Sequence, residues 1–482
     1  MNYVWEEIDK SQLELASKAE EKKEYAMSML YGIEKDDFLA KISKAYMAVL
    51  GDGKAGIFIE DSLNKSQWSD SAKATIHDNF FDYVLTNPPF GKDVKVKKET
   101  KEKYEFDKVE LIFIERALQL LKDGGTLGII LPETIFHSPN NKAARNKLFF
   151  NNNIKAIIDI PHDTFRPYNN AKCDIIFIEK NMPQQEKILS IFVENIGHDH
   201  LGETVFEYDI RTNTFDNTMI NDDIPYILKL IRDDNFMEAL KKEDGNELKK
   251  YRKQRCVDNI KYVNKEDILS ADLLVARNYF QPKFTHTSSV TLGELIKEGV
   301  LNSFDGHGSP QGHLKGLGTV PYIRVKDVVN LELYINPLDF IPEFEYKRLY
   351  SKSKELKLKD IIFVRRGSYR IGDVGILYKK DLKSLLTREL LVLRVKKEDN
   401  QYGITPLNLL YLLNSEDVRN QLPNKIMIDT TLPNIADRWK DLYIPIYKKE
   451  VMDKIDLEMS KLYDSRSSFW DSFEKIKHDY TE

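Results

Sequence analysis

Cysteine is nearly absent from this chain: Cys173 and Cys256 are the only two in 482 residues. A pair so far apart builds no disulfide framework and offers no metal-ligand spacing, and it fits a reduced, cytoplasmic setting. Long apolar runs are missing too, so no segment has the length to span a membrane. Met1 is not followed by the charged, apolar and small-residue pattern of a secretory leader. Nor is there an excess of one charge. The 72 basic and 77 acidic residues leave a net charge of −5, so any nucleic-acid footprint has to be local. What is there is enough apolar sequence, 41% of residues against 31% charged, to bury cores in two or three domains.

The most informative stretch is Asn87-Pro88-Pro89-Phe90, preceded by the apolar run Phe81-Asp82-Tyr83-Val84-Leu85-Thr86. A strand ending in Asn-Pro-Pro-aromatic suits the holding of an exocyclic amine while it is methylated. An adenine amine is a poor nucleophile because its lone pair is delocalised into the ring. Its two N–H donors need two acceptors, and the Asn87 side-chain oxygen and the Pro88 carbonyl supply them. Holding both hydrogens out of the ring plane favours the tetrahedral geometry that attacks a sulfonium methyl group. The prolines restrict the loop, and Pro89 removes an amide that would compete for the acceptors. Phe90 offers a ring for an extruded base, recovering ~1–3 kcal/mol against an unstacking cost of roughly a few kcal/mol. A strand end followed by a proline-rich turn reads the same four residues without chemistry, so context has to decide.

Along the first 180 residues apolar runs alternate with helical periods. Met27–Ile33 reads as a strand ending at Glu34, Phe38–Leu50 as a helix, and Gly56–Glu60 as a strand ending at Asp61. Glu110–Leu121 reads as an amphipathic helix stopped by Gly124-Gly125, followed by strands at Thr126–Leu131, Ile154–Ile160 and Asp174–Ile178. Such alternation predicts an α/β fold, a mostly parallel sheet covered on both faces. Ligands of such sheets bind at the carboxyl ends of the strands, where Glu34, Asp61 and Asn87 all fall.

These segments come in a fixed order: Tyr31 to Asp36, Gly56 to Leu63, Thr86 to Gly91, Leu121 to Gly125 and Ile129 to Glu133. In that order, and with Ile157 to Pro161, Phe165 to Lys180 and Val193 to Asp199, the chain resembles the modification subunit of type I restriction–modification systems. That subunit is a γ-class N6-adenine DNA methyltransferase with a doubly wound, Rossmann-like sheet. The resemblance implies S-adenosylmethionine as cofactor, with Glu34 on its ribose hydroxyls and Asp61 and Ser62 near its adenine. It also implies Phe165 as an aromatic flanking the flipped base. An exposed strand-end acid at Glu34 and an ordinary core aromatic at Phe165 are the plain alternatives. His198-Asp199-His200 matches the family's ordinary sequence and has no further ligand at metal spacing.

The departure from the family is at the front. A Gly-rich loop between the first strand and first helix should hold the methionine part of the cofactor, and Met1–Glu24 reads as the helix that follows it. Gly51-Asp52-Gly53 lies between a helix and a strand, and Phe304 to Pro310 follows the helix-like Leu292–Gly299, so neither replaces it. The expected sheet therefore lacks its first strand, which would leave unpaired edges. An N-terminal methyltransferase fragment, or a longer native chain, would complete it.

From Thr291 the composition changes. Val320 to Val328, Leu358 to Gly367 and Arg370 to Gly375 are strand-like and carry basic residues, and they resemble the target-recognition domain of a type I specificity subunit. Thr430 to Asn434 and Leu442 to Ile446 resemble its closing segment. Arg324, Arg365, Arg366 and Arg370 are candidates for base-edge or phosphate contacts, salt-bridged or idle arginines being the alternative. The run from Lys92 through Lys97 and Lys98 to Lys103 follows the Asn-Pro-Pro-Phe loop and suits a DNA backbone, or a solvated loop. Lys448–Lys477 has apolar residues at helical spacing and resembles the long helix after a recognition domain, pairing with another helix or packing on its own domain.

The expected organisation is thus a partial catalytic domain over 1–185, a helical extension and connector over 186–285, an α+β recognition domain over 286–446 and a long helix over 447–482. The expected function is a site-specific N6-adenine DNA methyltransferase, the alternative a catalytically inactive DNA-recognition remnant. Its partners would be double-stranded DNA, an N-terminal fragment, and restriction or specificity subunits, with no membrane and no metal. No ATPase loop or nuclease cluster is visible. On this reading the purified chain alone binds S-adenosylmethionine weakly in calorimetry; tight, stoichiometric binding would contradict it.

Overall fold

The computed structural model describes residues 2–12, 14–49, 56–90, 96–209, 211–280, 288–367, 369–397, 399–429 and 432–480. The chain divides into two compact units, Met1–Leu274 and Val275–Glu482.

The first unit begins with two helices, Asn2–Lys10 and Leu15–Glu24, where one was expected. Ser11 is the reason: its amide and hydroxyl both donate to the Ile8 carbonyl, closing the first helix. The apolar run from Met27 also differs from its expectation. Tyr25–Met29 forms a π-helical turn and strand β1 is confined to Tyr31–Glu34, because a short apolar run does not distinguish a helix end from a strand. β1 pairs in parallel with β2, Gly56–Ile59, with the helix Asp37–Val49 between them in sequence.

The main sheet has six strands: β3 (Phe81–Thr86), β4 (Leu121–Pro132), β5 (Asn153–Asp159), β6 (Cys173–Glu179), β7 (Lys187–Phe192) and β10 (Ile260–Asn264). A separate hairpin, β8 (Phe206–Asp209) with β9 (Thr214–Ile220), precedes β10 in sequence. Strand order is β10-β7-β5-β6-β4-β3. The sheet is mixed where a mostly parallel one was expected. β3 with β4 and β5 with β7 are parallel, but β6 returns antiparallel between β4 and β5, and β10 adds an antiparallel edge beyond β7. Strands thus continue well past residue 185, where a helical extension was expected.

The Gly124-Gly125 pair does not stop a helix. The helix Val109–Leu120 ends earlier, and the glycines lie inside β4 at the bulge where its register with β3 jumps. Gly124 has φ of +76° there, a conformation that costs glycine little. β3 is an edge strand, with no hydrogen-bonded pairing to β1 or β2 among the described residues. Tyr83 and Leu85 on it are 72% and 76% exposed, and Phe38, Leu39, Ile42 and Tyr46 of the helix after β1 are exposed as well.

The second unit is built on a four-stranded antiparallel sheet, in the order Leu301–Asp305, Leu390–Val395, Ile361–Val364, Val374–Ile376. Helices Leu292–Lys297 and Pro406–Leu413 begin in capping boxes, Thr291 with Glu294 and Thr405 with Asn408. The chain closes on the 32-residue helix Lys449–Tyr480.

Behind the main sheet, Arg145 is only 1% exposed. Its Nε and Nη2 donate to the two carboxylate oxygens of Asp272 at 2.9 and 2.7 Å, and Nη1 donates to the carbonyls of Ile135 and Ser138. One guanidinium thereby ties the segment after β4 to the end of the helix Lys265–Ala271. Arg145→Ala strands a carboxylate and buried carbonyls, and is expected to cost about 3–5 kcal/mol in urea unfolding of the first unit.

Candidate active site

The carboxyl ends of β1 and β3 open into one cavity of about 1010 Å³. Its lining gathers Glu34, Asp61, Ser62 and the whole of Asn87-Pro88-Pro89-Phe90, together with Lys97, Phe165 and Asn169. The sequence placed these groups at separate strand ends; the fold brings them to one cleft.

Parallel pairing of Thr86 with Ile129 holds β3 in register up to the residue before Asn87. Asn87 is exposed and its side chain has no hydrogen-bond partner among the described residues, so its amide oxygen is available. Pro88 is buried, which fixes the carbonyl that follows it in the backbone. Phe90 and Phe165 are both half-buried and rest on the same apolar cluster, which includes Ile160, Cys173 and Ile191. Burial pushes the Cys173 thiol up to about 12, with the Asp174 carboxylate adding to the effect, so it stays protonated and unreactive.

Phe165 ends a short 3₁₀ turn, His162–Phe165, in the loop joining β5 to β6. The buried Lys172 ammonium closes that loop. It donates to Asp159 Oδ1 at 2.8 Å, to Asp174 Oδ1 at 2.7 Å and to the carbonyl of Ile160, with Glu133 Oε2 at 3.9 Å. Within the loop, Asn169 N donates to the Phe165 carbonyl and the Asn169 side chain accepts from Ala171 N.

On the other wall, Glu34 Oε1 accepts from Asp36 N at 2.8 Å, while Oε2 has no partner among the described residues and remains open to a hydroxyl. Asp61 caps its own turn through Leu63 N at 3.1 Å and pairs with Lys35 at 2.9 Å. A carboxylate open to ribose hydroxyls beside a turn at Asp61-Ser62 fits the nucleoside end of S-adenosylmethionine. Gly32 is the only glycine among the described lining residues, and it lies within β1, so no described Gly-rich loop faces a methionine end.

Sequence reasoning missed Arg116, whose side chain is almost fully buried beneath this wall. Its Nε donates to the Ser62 carbonyl at 3.1 Å and Nη1 to Asp78 Oδ1 at 2.8 Å, and the guanidinium lies 5.3 Å from the Trp68 ring centroid. Burial would push the Asp78 carboxyl up, but hydrogen bonds from Arg116 and Lys65 hold it below its ordinary value. An arginine on the apolar face of the helix Val109–Leu120 was the available signal. Lys172 carried none, since its role depends on a loop closure that spacing does not reveal.

The basic residues are distributed unevenly. Lys97 lines the cleft and Lys98 opens the helix Lys98–Lys101, whereas the preceding lysines fall outside the described residues. In the second unit the basic positions lie in turns and at strand ends more than on strands. Arg324 is paired with Asp339, Arg365 with Asp305 at 2.7 Å, and Arg370 with Asp373 at 2.8 Å. Arg366 is exposed, with its backbone bridged to Asn434 and no side-chain partner among the described residues. Arg388 is also exposed and unpaired among them, one residue from Glu389, whose carbonyl accepts from Arg365 N. Tyr369 is nearly fully exposed. Neither Arg388 nor Tyr369 was singled out from the sequence.

The model of the family described as N-6 DNA Methylase matches residues 11–243. The type II restriction enzyme and methyltransferase RM.BcgI of Heyndrickxia coagulans is 26% identical over 187 residues, covering 38% of this chain and 27% of that protein. The type I restriction enzyme EcoEI methylase subunit of Escherichia coli is 25% identical over 163 residues, covering 33% of this chain and 31% of its own length. The chain therefore spans less than a third of the length of these relatives. A solved chain of a type I R-M system matches with a TM-score of 0.40 at 20% identity, covering 61% of this chain and 54% of that one. Over residues 11–243 this chain is thus similar to the N-6 DNA methylases, and the named relatives that share its sequence are methyltransferases of restriction–modification systems.

Proposed function

We propose that this chain is the amine-holding and sequence-reading part of a site-specific N6-adenine DNA methyltransferase of a restriction–modification system. The observation that carries the reading is Asn87-Pro88-Pro89-Phe90 at the end of β3, sharing one cavity with Glu34, Asp61 and Phe165. S-adenosylmethionine supplies the methyl group when bound. The Asn87 oxygen and the Pro88 carbonyl accept the two N–H groups of an extruded adenine and draw its lone pair out of conjugation. Phe90 and Phe165 stack the base, at ~1–3 kcal/mol per ring contact, and the Lys172 staple keeps Phe165 from relaxing away. Glu34 takes the ribose hydroxyls of the donor.

The methionine end needs a backbone cradle that the described lining residues do not include. The open edge of β3, with Tyr83 and Leu85 exposed, supports the reading that a strand and loop from a partner polypeptide or a longer chain complete this side. Sequence reading falls to the second unit, on double-stranded DNA. There the unpaired Arg366 is the stronger candidate of the four arginines first considered, because Arg324, Arg365 and Arg370 would have to give up ion pairs.

Asn87→Ala is expected to abolish methylation of plasmid DNA, read as tritium transfer in the presence of partner subunits, while sequence-specific DNA binding stays within about twofold. Equal loss of both would remove Asn87 from the catalytic role. No transfer by the unsubstituted protein with its partners present would favour the inactive recognition remnant. Arg366→Ala is expected to weaken DNA binding, with the salt slope falling by about one unit if it meets a phosphate. If it meets a base edge, discrimination at one position falls by ~1–3 kcal/mol.

A further inference from the structure

A second cavity of the first unit, of about 460 Å³, shares Leu63 and Arg116 with the cleft and lies on the other side of that wall. Four cations line it, Lys65, Lys73, Lys103 and Arg116, against one carboxylate, Asp78. Both oxygens of that carboxylate are engaged, Oδ1 by Arg116 Nη1 at 2.8 Å and Oδ2 by Lys65 at 3.1 Å. The Lys73 ammonium has no partner among the described residues. Lys103 donates to Asn64 Oδ1 at 3.2 Å and to Ser66 Oγ at 3.0 Å, neutral oxygens that hold its ammonium without cancelling its charge. Arg116 is only 4% exposed, and its Nη2 is buried with no acceptor among the described residues. A buried guanidinium so incompletely compensated is costly, and a nearby anion offsets that cost.

The four cations come from separate elements. Lys65 opens the 3₁₀ turn Lys65–Gln67, Lys73 lies on the helix Asp70–Thr75, Lys103 follows the helix Lys98–Lys101, and Arg116 belongs to Val109–Leu120. Solvated lysines on separate elements lower their repulsion by pointing apart, whereas these converge on one hollow. The hollow is also held in shape. The Tyr104 hydroxyl donates to the Leu63 carbonyl at 3.0 Å, and Gln119 accepts from Arg116 Nη1 at 3.1 Å. Burial pushes the Tyr104 hydroxyl up, so it stays a donor. The nearest other acids are committed elsewhere: Glu115 accepts from the amides of Glu105 and Phe106, and Asp61 pairs with Lys35. Four cations against one acid leave an excess of three positive charges in the lining. A carboxylate would bring one charge to such a site; a phosphate group brings up to two and presents acceptors in several directions, which suits ammonium groups placed around it.

We propose that this hollow is a phosphate-binding site distinct from the cleft, with Lys73 and Lys103 as its accessible cations and Arg116 as its floor. Two sources can bring that chemistry, a backbone phosphate of DNA or a free phosphate compound. The first rests on the methyltransferase reading and the second does not. In either case the site is linked to the cleft, because the guanidinium beneath the anion is the one that holds the Ser62 carbonyl at 3.1 Å.

The test uses the full chain and two titrations, inorganic pyrophosphate by calorimetry and duplex DNA across a salt series. Lys73→Gln and Lys103→Gln each remove one charge from the lining, and Lys253→Gln, exposed and outside the cavity, is the control. All three are expected to leave thermal unfolding unchanged. Pyrophosphate is expected to bind at one site and to weaken about tenfold in each cavity variant, but not in the control. If the natural occupant is a DNA phosphate, the salt slope of duplex binding also falls by about one unit in each cavity variant. If the slope stays as it was while pyrophosphate binding weakens, the occupant is a free phosphate compound. The proposal is overturned if neither titration responds to the cavity variants, or if Lys253→Gln has the same effect as they do. Should the chain bind no duplex at all, the sequence-reading part of the methyltransferase proposal fails, and the pyrophosphate titration still decides whether the site exists.

Discussion

Parallel pairing of β3 with β4 is the constraint on which the first unit depends. Thr86 opposite Ile129 brings both carboxyl ends to one rim, so the chain leaving β3 must turn outward there. Asn87 and two prolines make that turn with few donors and a limited set of conformations. The same rim receives the loop between β5 and β6, because β6 runs back antiparallel beside β4. β5 itself runs parallel to β3 and β4, so its carboxyl end at Asp159, just before the turn that carries Phe165, lies at that rim. The antiparallel return of β6, which sequence periodicity did not predict, lets the loop close there.

Positioning at this rim relies on charge buried beneath it. Lys172 satisfies several acceptors with one ammonium, and Asp159, Asp174 and Glu133 around it are all nearly inaccessible to water. Such a cluster adds little to stability compared with apolar packing of similar volume, but it tolerates few alternative arrangements. Arg116 acts the same way under the opposite wall, holding the Ser62 carbonyl and the Asp78 carboxylate. Both cations act on backbone that carries cleft residues, so the rigidity of the cleft is set one layer below its surface.

Most of the strands and the Asn-Pro-Pro-Phe loop were legible because their signals are local: an apolar run, a proline pair, a strand-end acid. Predicted and observed bounds of β2, β5 and β6 differ by a residue or so at each end. What was not legible depended on partners distant in sequence. The extra strands β7 and β10 lie in a stretch read as polar and charged. β7 is in fact apolar and pairs with β5 on one side and β10 on the other, partners distant in sequence. The break after Lys10 depends on one serine choosing a carbonyl. In the second unit, arginines that look equivalent in sequence separate into paired and unpaired ones only when Asp305, Asp339 and Asp373 are placed beside them. Freeing a partly buried ion pair to contact DNA exchanges one set of charge-assisted bonds for another. The exposed Arg366 and Arg388 have no such exchange to make; Arg366 was among the arginines legible in the sequence, and Arg388 was not.

Exposed apolar residues occur at strand or helix spacing at several places on the described residues, where such exchange arguments do not apply. Tyr83 and Leu85 lie on an open strand edge, and Phe38, Leu39, Ile42 and Tyr46 on the helix that connects β1 toward β2 in sequence. Leu462, Phe469 and Ile476 lie on a helix already docked by its other face. Single exposed apolar residues are ordinary, but rows of them at strand or helix spacing are not. A strand edge and a helix stripe differ in what they can accept. A strand edge offers backbone donors and acceptors and so calls for another strand, whatever its side chains. A helix has satisfied its backbone and offers only side-chain pattern, so its partner must match residue by residue. An open strand edge can thus accept any segment with the right backbone geometry, whereas an exposed helix stripe is selective for the side chains that meet it.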